Sequence, residues 1–125
     1  MSLVRLDHIN ISTAKLAETR AFFMAVLDLE EGARPDFGVP GHWLYLGDQA
    51  VVHLVGRPQA RRPSDEAALD HFAFIIDDYD AAIERLDQHG IDYRAVGVPG
   101  TATRQIFLRD PNDVTIELNC PAAMS

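Results

Sequence analysis

Residues 4–12, VRLDHINIS, and residues 69–76, LDHFAFII, decide the fold of this chain, because they begin two copies of one pattern. Polar and apolar residues alternate in the first stretch, which predicts a β-strand with one face toward a packed core. The shared Leu-Asp-His triplet aligns His8 with His71, a shift of 63 residues. A repeat of this kind predicts two structural units of the same type in one chain.

The same order of elements follows each of these strands. Apolar residues at helical spacing predict a helix next, with Ser12 or Thr13 as the N-cap of the first helix and Gly90 ending the second. A short strand and a hairpin complete each copy, which gives the order βαβββ twice. The predicted segments are helices over 13–27 and 79–90, short strands around 30–36 and 92–96, and hairpins over 43–55 and 104–119.

The chain is therefore expected to form one α+β domain over residues 1–125, built from two βαβββ modules. Module one covers about 3–55 and module two about 69–120. Residues 56–68 between them are polar, contain two prolines and lack periodicity, which predicts a linker. Each half is small for a domain that folds alone.

A second match concerns the last strand of each module, where the segments VVHL and TIEL align His53 with Glu117. Each module then offers two metal-competent side chains, His8 with His53 and His71 with Glu117. Imidazole nitrogens and a carboxylate suit Zn, Fe, Ni, Co or Mn, and a His-His-Glu set leaves open positions for a substrate with two neighbouring oxygens. His53 is a candidate fourth ligand, a candidate base, or part of the pocket wall.

The turns of the two hairpins predict which side chains share a face. A two-residue turn in the first hairpin and a four-residue turn in the second predict three cross-strand pairs, Leu44 with His53, Ile106 with Glu117 and Arg104 with Asn119. His53 and Glu117 would then lie on an apolar floor that suits a small ligand. Arg104 would lie near Glu117, as a candidate to bind an anionic group of the substrate.

Charge and composition exclude several classes of partner. The chain has 11 basic and 19 acidic residues, a net charge of −8 that disfavours nucleic acid. Lys15 is the only lysine, which argues against a polybasic membrane surface. No apolar segment has the length of a signal peptide core or a membrane span, so we expect a cytoplasmic protein. The single cysteine, Cys120, has no partner for an intramolecular disulfide.

The Leu-Asp-His strands and the hairpin segment RDPNDVTIEL, residues 109–118, resemble the vicinal oxygen chelate superfamily. That superfamily includes glyoxalase I, fosfomycin-resistance thiol transferases, methylmalonyl-CoA epimerases, extradiol dioxygenases and bleomycin-binding proteins. The similarity covers residues 3–120, and its motifs are specific for the superfamily without selecting one member. The resemblance implies a glyoxalase-like fold, in which both modules form a cupped mixed sheet with helices on the outer face.

The resemblance also implies roles for individual residues. His8 and His71 match the ligands that begin each module, and Glu117 matches the carboxylate of the last strand. His53 stands where glyoxalase I has glutamate and the epimerases have glutamine, which departs from both. One divalent ion per site is implied, as Zn, Ni, Co, Mn or Fe. A homodimer with sites shared between chains is implied as well, so His8 and His53 of one chain would meet His71 and Glu117 of the other.

Three functions remain open from the sequence. The leading expectation is a lyase or isomerase of the glyoxalase type, whose metal polarises a carbonyl while His53 or Glu117 moves a proton. An Fe(II) extradiol-type dioxygenase is the first alternative, because it uses two histidines and one carboxylate. A protein that binds a drug or metabolite without chemistry is the second.

Overall fold

The computed structural model of this protein describes residues 1–122, and the chain divides into two compact units between Arg61 and Arg62. The first unit contains β1 (Ile9–Thr13), α1 (Leu16–Ala25), β2 (Glu30–Gly32), β3 (Gly41–Leu46) and β4 (Gln49–Gly56). The second contains a one-turn 3₁₀ helix (Ser64–Glu66), β5 (His71–Ile75), α2 (Tyr79–Gln88), β6 (Tyr93–Gly97), β7 (Arg104–Arg109) and β8 (Thr115–Cys120).

Each unit has one four-stranded mixed sheet, and the two sheets have the same topology. The strand orders are β1-β4-β3-β2 and β5-β8-β7-β6. The first strand of each module pairs in parallel with the last, and the other neighbours are antiparallel. The predicted α+β fold with two βαβββ modules is confirmed.

The register shows that the repeat extends to single residues. In the first sheet Asn10 pairs with His53, and in the second Ala73 pairs with Glu117. Both pairs join the first strand of a module to its last strand. Asn10 and Ala73 each lie two residues after the histidine that the repeat aligns. His53 and Glu117 therefore occupy equivalent places in their sheets.

Helix α1 covers one face of the first sheet. Phe23, Leu44 and Leu54 are fully buried, which places the core of this unit between α1 and the strands β3 and β4. The helix begins at Leu16, and its N-cap residue Lys15 makes no side-chain capping bond, so the predicted cap at Ser12 or Thr13 is wrong. Thr13 instead accepts a hydrogen bond from the Lys15 backbone N–H, which ends β1 just before the helix.

Helix α2 has stronger end signals than α1. The Asp78 carboxylate accepts a hydrogen bond from the Ala81 backbone N–H at 3.0 Å, the usual role of an N-cap aspartate. Leu86 is 1% exposed and anchors the apolar side of the helix. Gly90 ends the helix at a φ of 64°, a left-handed conformation that suits glycine, as predicted.

Both hairpins differ in register from the prediction, each by one residue. Trp43 pairs with His53, and Phe107 pairs with Glu117. In the first hairpin, Leu46 pairs with Gln49, so the turn lies one residue earlier than predicted, and a bulge between Leu44 and Tyr45 offsets part of the resulting shift.

The second hairpin is shifted because its turn has five residues, 110–114, where four were predicted. The buried Asp110 carboxylate accepts hydrogen bonds from the backbone N–H groups of Asn112 and Val114, and this lengthens the turn. Asp113 has a φ of 61° in this turn. Carboxylate bonds to nearby backbone donors are a common way to stabilise such a connection.

Candidate metal centre

His53 lies on β4 with its side chain away from the α1 core. The residue is 8% exposed. Its Nε2 atom is buried and has no hydrogen-bond partner among residues 1–122. A buried polar atom without a partner costs free energy, so its presence points to a ligand for that nitrogen.

Three aromatic rings form a stack around His53. The centroid of the His8 ring lies 3.6 Å from that of His53, with 10° between the planes. The Trp43 ring lies on the other side at 4.0 Å and 13°. Parallel imidazoles cannot both direct an in-plane lone pair at one ion, so shared binding requires one ring to turn. His8 precedes β1 and its side chain is 37% exposed, which leaves it room to do so.

The surroundings of His53 favour its neutral form. Burial lowers the pKa of His53, and the adjacent His8 lowers it further, because two protonated rings so close together would repel each other. A neutral imidazole has a free lone pair, which both a metal ligand and a proton acceptor require. His53 is therefore prepared for either of the roles predicted for it.

The predicted ligand histidines that begin the modules each contact the preceding aspartate. His8 Nδ1 lies 2.6 Å from an Asp7 carboxylate oxygen, and His71 Nδ1 lies 2.8 Å from an oxygen of Asp70. The hydrogen bond with His8 holds the pKa of Asp7 below its usual value. When Nδ1 donates to a carboxylate, the lone pair of the neutral ring is on Nε2, so both rings present that nitrogen to a ligand.

Glu117 is held in place by two side-chain amides. The residue is 9% exposed. One carboxylate oxygen accepts a hydrogen bond from Gln105 Nε2 at 2.9 Å, and the other accepts one from Asn119 Nδ2 at 2.8 Å. Each carboxylate oxygen accepts one amide hydrogen bond and keeps a further lone pair that can bind a cation.

His71 and Glu117 face the same side of the second sheet. His71 pairs with Thr115, two pairs away from Ala73 and Glu117, and side chains two residues apart on a strand share a face. The Phe107 ring, opposite Glu117 on β7, meets the His71 ring edge to face with 6.3 Å between centroids. A cavity of about 750 Å³ opens beside His71 and Phe107, within the range of small-ligand sites.

Arg104 lies on the other face of this sheet, so its predicted position near Glu117 is wrong. It pairs with Cys120, and its guanidinium carbon lies 3.9 Å from the centroid of the Tyr79 ring at the start of α2. The five-residue turn described above shifts β7 by one position and reverses the face. The proposed anion-binding role of Arg104 depended on the predicted register and loses its basis.

The predicted ligands form two pairs, one in each unit. His8 and His53 are in contact in the first unit, and His71 and Glu117 share a face in the second. Within residues 1–122, no group of three His, Cys, Asp or Glu side chains is arranged to hold an ion. The donor types, the free Nε2 atoms and the oriented carboxylate fit a divalent transition metal.

Sequence analysis missed the residues that surround the four predicted ligands. They are Asp7, Trp43, Asp70, Gln105, Phe107 and Asn119. The repeat contains a signal for most of them, because the shift that aligns His53 with Glu117 also aligns Trp43 with Phe107. The Asp-His dipeptide is likewise present in both modules.

Comparisons with known proteins agree with the observed fold. The family model of the Glyoxalase/Bleomycin resistance protein/Dioxygenase superfamily matches residues 5–118. The uncharacterized protein YaeR of Escherichia coli (strain K12) is 30% identical, over 94% of this chain and 97% of that protein.

Two solved structures have a similar fold. A glyoxylase/bleomycin resistance protein/dioxygenase domain from Frankia sp. EAN1pec has a TM-score of 0.80 at 18% identity, covering 96% of this chain and 99% of the other. The fosfomycin resistance protein FosX from Listeria monocytogenes has a TM-score of 0.77 at 18% identity, covering 97% and 96%. Neither helix in the described part of the chain is long and apolar enough to cross a membrane. This chain belongs to the Glyoxalase/Bleomycin resistance protein/Dioxygenase superfamily.

Proposed function

We propose that this protein is a divalent-metal-dependent enzyme of the glyoxalase-like lyase or isomerase type, which acts on a small substrate through two adjacent oxygens. His8, His53, His71 and Glu117 are the proposed ligands. The unpartnered, buried Nε2 of His53 is the main support for this proposal. The superfamily match and the equivalent places of His53 and Glu117 in the two sheets support it further.

The chemistry of the proposed reaction is a proton transfer next to a carbonyl. A bound divalent ion would supply polarisation of that carbonyl. His53, kept neutral by its surroundings, can accept the proton, and Glu117 is the other candidate base. The two amides that hold Glu117 keep its carboxylate in one orientation, so it needs no reorganisation before it acts.

The proposal includes the assembly and the cell compartment. We propose a cytoplasmic homodimer in which each site takes His8 and His53 from one chain and His71 and Glu117 from its partner. The separation of the ligands into two pairs, one in each unit, supports a shared site. A small molecule is the proposed substrate, bound in the cavity beside His71 and Phe107.

Metal binding can be tested without knowledge of the substrate. Trp43 is the only tryptophan, and its ring is stacked on His53, so its fluorescence should report binding at this position. Titration of metal-free protein with Ni²⁺ should quench Trp43 fluorescence, and His8→Ala, His71→Ala and Glu117→Ala should each weaken binding. His89→Ala, at the exposed end of α2, is the matched control and should bind like wild type. Equal Ni²⁺ affinity in all five proteins would overturn the proposal.

The metal that copurifies with the protein separates the remaining functions. Elemental analysis of protein purified without chelator should find Ni, Co, Zn or Mn in a lyase or isomerase. Iron would favour the ring-cleaving dioxygenase instead. Protein that neither copurifies with a metal nor binds added Ni²⁺ would favour the non-catalytic binding protein.

A further inference from the structure

The two Asp-His dipeptides have the same geometry in both units, although their surroundings differ. In each, the histidine Nδ1 contacts the carboxylate of the residue immediately before it, at 2.6 Å for Asp7 and 2.8 Å for Asp70. Adjacent residues inside a strand point to opposite faces, so they do not normally contact each other. The contact is possible because each dipeptide lies where its strand begins, at Ile9 and at His71.

Each dipeptide is also fixed to the last strand of its own module. In the first unit, Gln49 Nε2 donates hydrogen bonds to the backbone carbonyls of Leu6 and Asp7. In the second, the Ser64 hydroxyl donates to the Asp70 carbonyl and accepts from the Thr115 backbone N–H. Different side chains thus produce the same result, a fixed backbone at the aspartate.

These contacts have a chemical consequence for the histidine rings. A carboxylate that accepts a hydrogen bond from Nδ1–H stabilises the neutral tautomer, whose lone pair is on Nε2. The same hydrogen bond limits rotation of the ring about the bonds of the histidine side chain. A negative neighbour also increases the electron density that Nε2 offers to a cation. Carboxylate partners of this kind commonly contribute 10–100-fold to metal affinity.

We propose that Asp7 and Asp70 are positioning residues, which hold His8 and His71 in the tautomer that presents Nε2 to a divalent ion. This inference rests on the proposed metal site. It assigns the two aspartates a role that extends beyond the four ligands, and it gives the repeated dipeptide one function in both modules.

The test compares charge-neutral variants with matched controls. Asp7→Asn and Asp70→Asn are each expected to weaken Zn²⁺ affinity about 10–100-fold in competition with a chelator. Asp48→Asn and Asp77→Asn remove one exposed carboxylate from the same two units and should leave the affinity unchanged. Nitrogen-15 NMR of the metal-free proteins should show the tautomer with Nδ1 protonated for His8 and His71 in wild type, and its loss at the altered position in each variant.

The outcomes separate this inference from the metal site itself. Wild-type Zn²⁺ affinity in Asp7→Asn and Asp70→Asn, with affinity lost in His8→Ala and His71→Ala, would overturn the positioning role alone. Unchanged affinity in the histidine variants as well would overturn the proposed metal site. Weaker binding by the aspartate variants without a change of tautomer would also count against positioning, because charge alone would then explain it.

Discussion

At the residue scale, His53 is the side chain with three predicted roles, as a metal ligand, a base or part of the pocket wall. Its ring is stacked between His8 and Trp43, and its Nε2 has no hydrogen-bond partner within residues 1–122. Because Trp43 fixes the ring plane, His53 has less freedom than a surface histidine to change its role. One substitution at this position can therefore separate the three roles predicted for it.

We expect His53→Ala to bind metal through His8, His71 and Glu117, but more weakly than wild type. If His53 is the base, affinity should be nearly unchanged and turnover should fall about 10²–10⁴-fold. If it only lines the pocket, neither should change. Chelator competition and turnover on the same variant distinguish these outcomes, with His42→Ala as the control, since His42 lies one residue from Trp43 and contacts Glu31.

Asp110 gives a prediction of pH dependence that does not involve the metal. Burial raises the pKa of this carboxyl, and hydrogen bonds from Asn112 and Val114 only partly oppose the effect. A raised folded-state pKa means that the native state binds the proton more tightly than the unfolded state does. The stability that the protonated group contributes is therefore present below the ordinary pKa of aspartate and lost as pH rises through the folded value.

Asp110→Asn, which resembles the protonated carboxyl, should not lose this stability. We expect the free energy of unfolding of wild type, measured relative to Asp110→Asn in urea, to be lower at about pH 7 than at about pH 4. Asp48→Asn, which removes an exposed carboxylate from the other unit, is the control for the loss of one negative charge. If the free energy of unfolding of wild type relative to Asp110→Asn increased with pH, the turn hydrogen bonds would outweigh the effect of burial.

The repeat in the sequence predicted that His53 and Glu117 occupy equivalent places in their sheets, because it aligns His8 with His71 and His53 with Glu117. It did not predict the neighbours of His53 and Glu117. Those neighbours depend on the position of the first hairpin turn, on a bulge after Leu44, and on a second turn that Asp110 stabilises. Alternation of residue types does not encode the position of a turn or of a bulge.

At the element scale, the two helices differ in how they begin. Helix α2 has a side-chain N-cap at Asp78, whereas the N-cap residue of α1, Lys15, makes no side-chain capping bond. The order of strands and helices was predictable from periodicity, and every predicted element is present. Their limits were less predictable, since α1 is shorter at both ends and β2 ends at Gly32. Packing and capping decide such limits more than periodicity does.

Removal of the α2 cap should have a measurable cost. Asp78→Ala leaves the Ala81 backbone N–H without its acceptor, and we expect a loss of about 0.5–2 kcal/mol in the free energy of unfolding. The neighbouring exposed Asp77→Ala is the control and should change stability by less than about 0.5 kcal/mol. Equal stability of the two variants would mean that water replaces the cap at no cost.

At the scale of the whole molecule, the central question is whether a site takes its ligands from one chain or from two. A shared site predicts a particle of about twice the 13.9 kDa chain mass in sedimentation or light scattering. It also predicts complementation between two inactive proteins. One would carry His8→Ala with His53→Ala, and the other His71→Ala with Glu117→Ala.

In a mixed dimer of these two proteins, one site would lose all four ligands and the other would retain all four. We therefore expect coexpressed chains to bind about one metal ion per dimer, although neither variant alone binds it with wild-type affinity. A site formed within one chain allows no such recovery, because each chain has lost two of its own ligands. Metal stoichiometry of the isolated mixed dimer decides between the two arrangements.

The buried thiol of Cys120 gives this molecule an internal measure of local opening. Cys120 is the only cysteine, is 0% exposed and occupies the last pair of β8, three residues beyond Glu117. A thiol reagent can reach its sulfur only when the end of β8 separates, so the labelling rate follows the population of that opened state. An ion held at Glu117 should slow the reaction, which would make a single alkylation assay a monitor of how ligand occupancy changes strand dynamics.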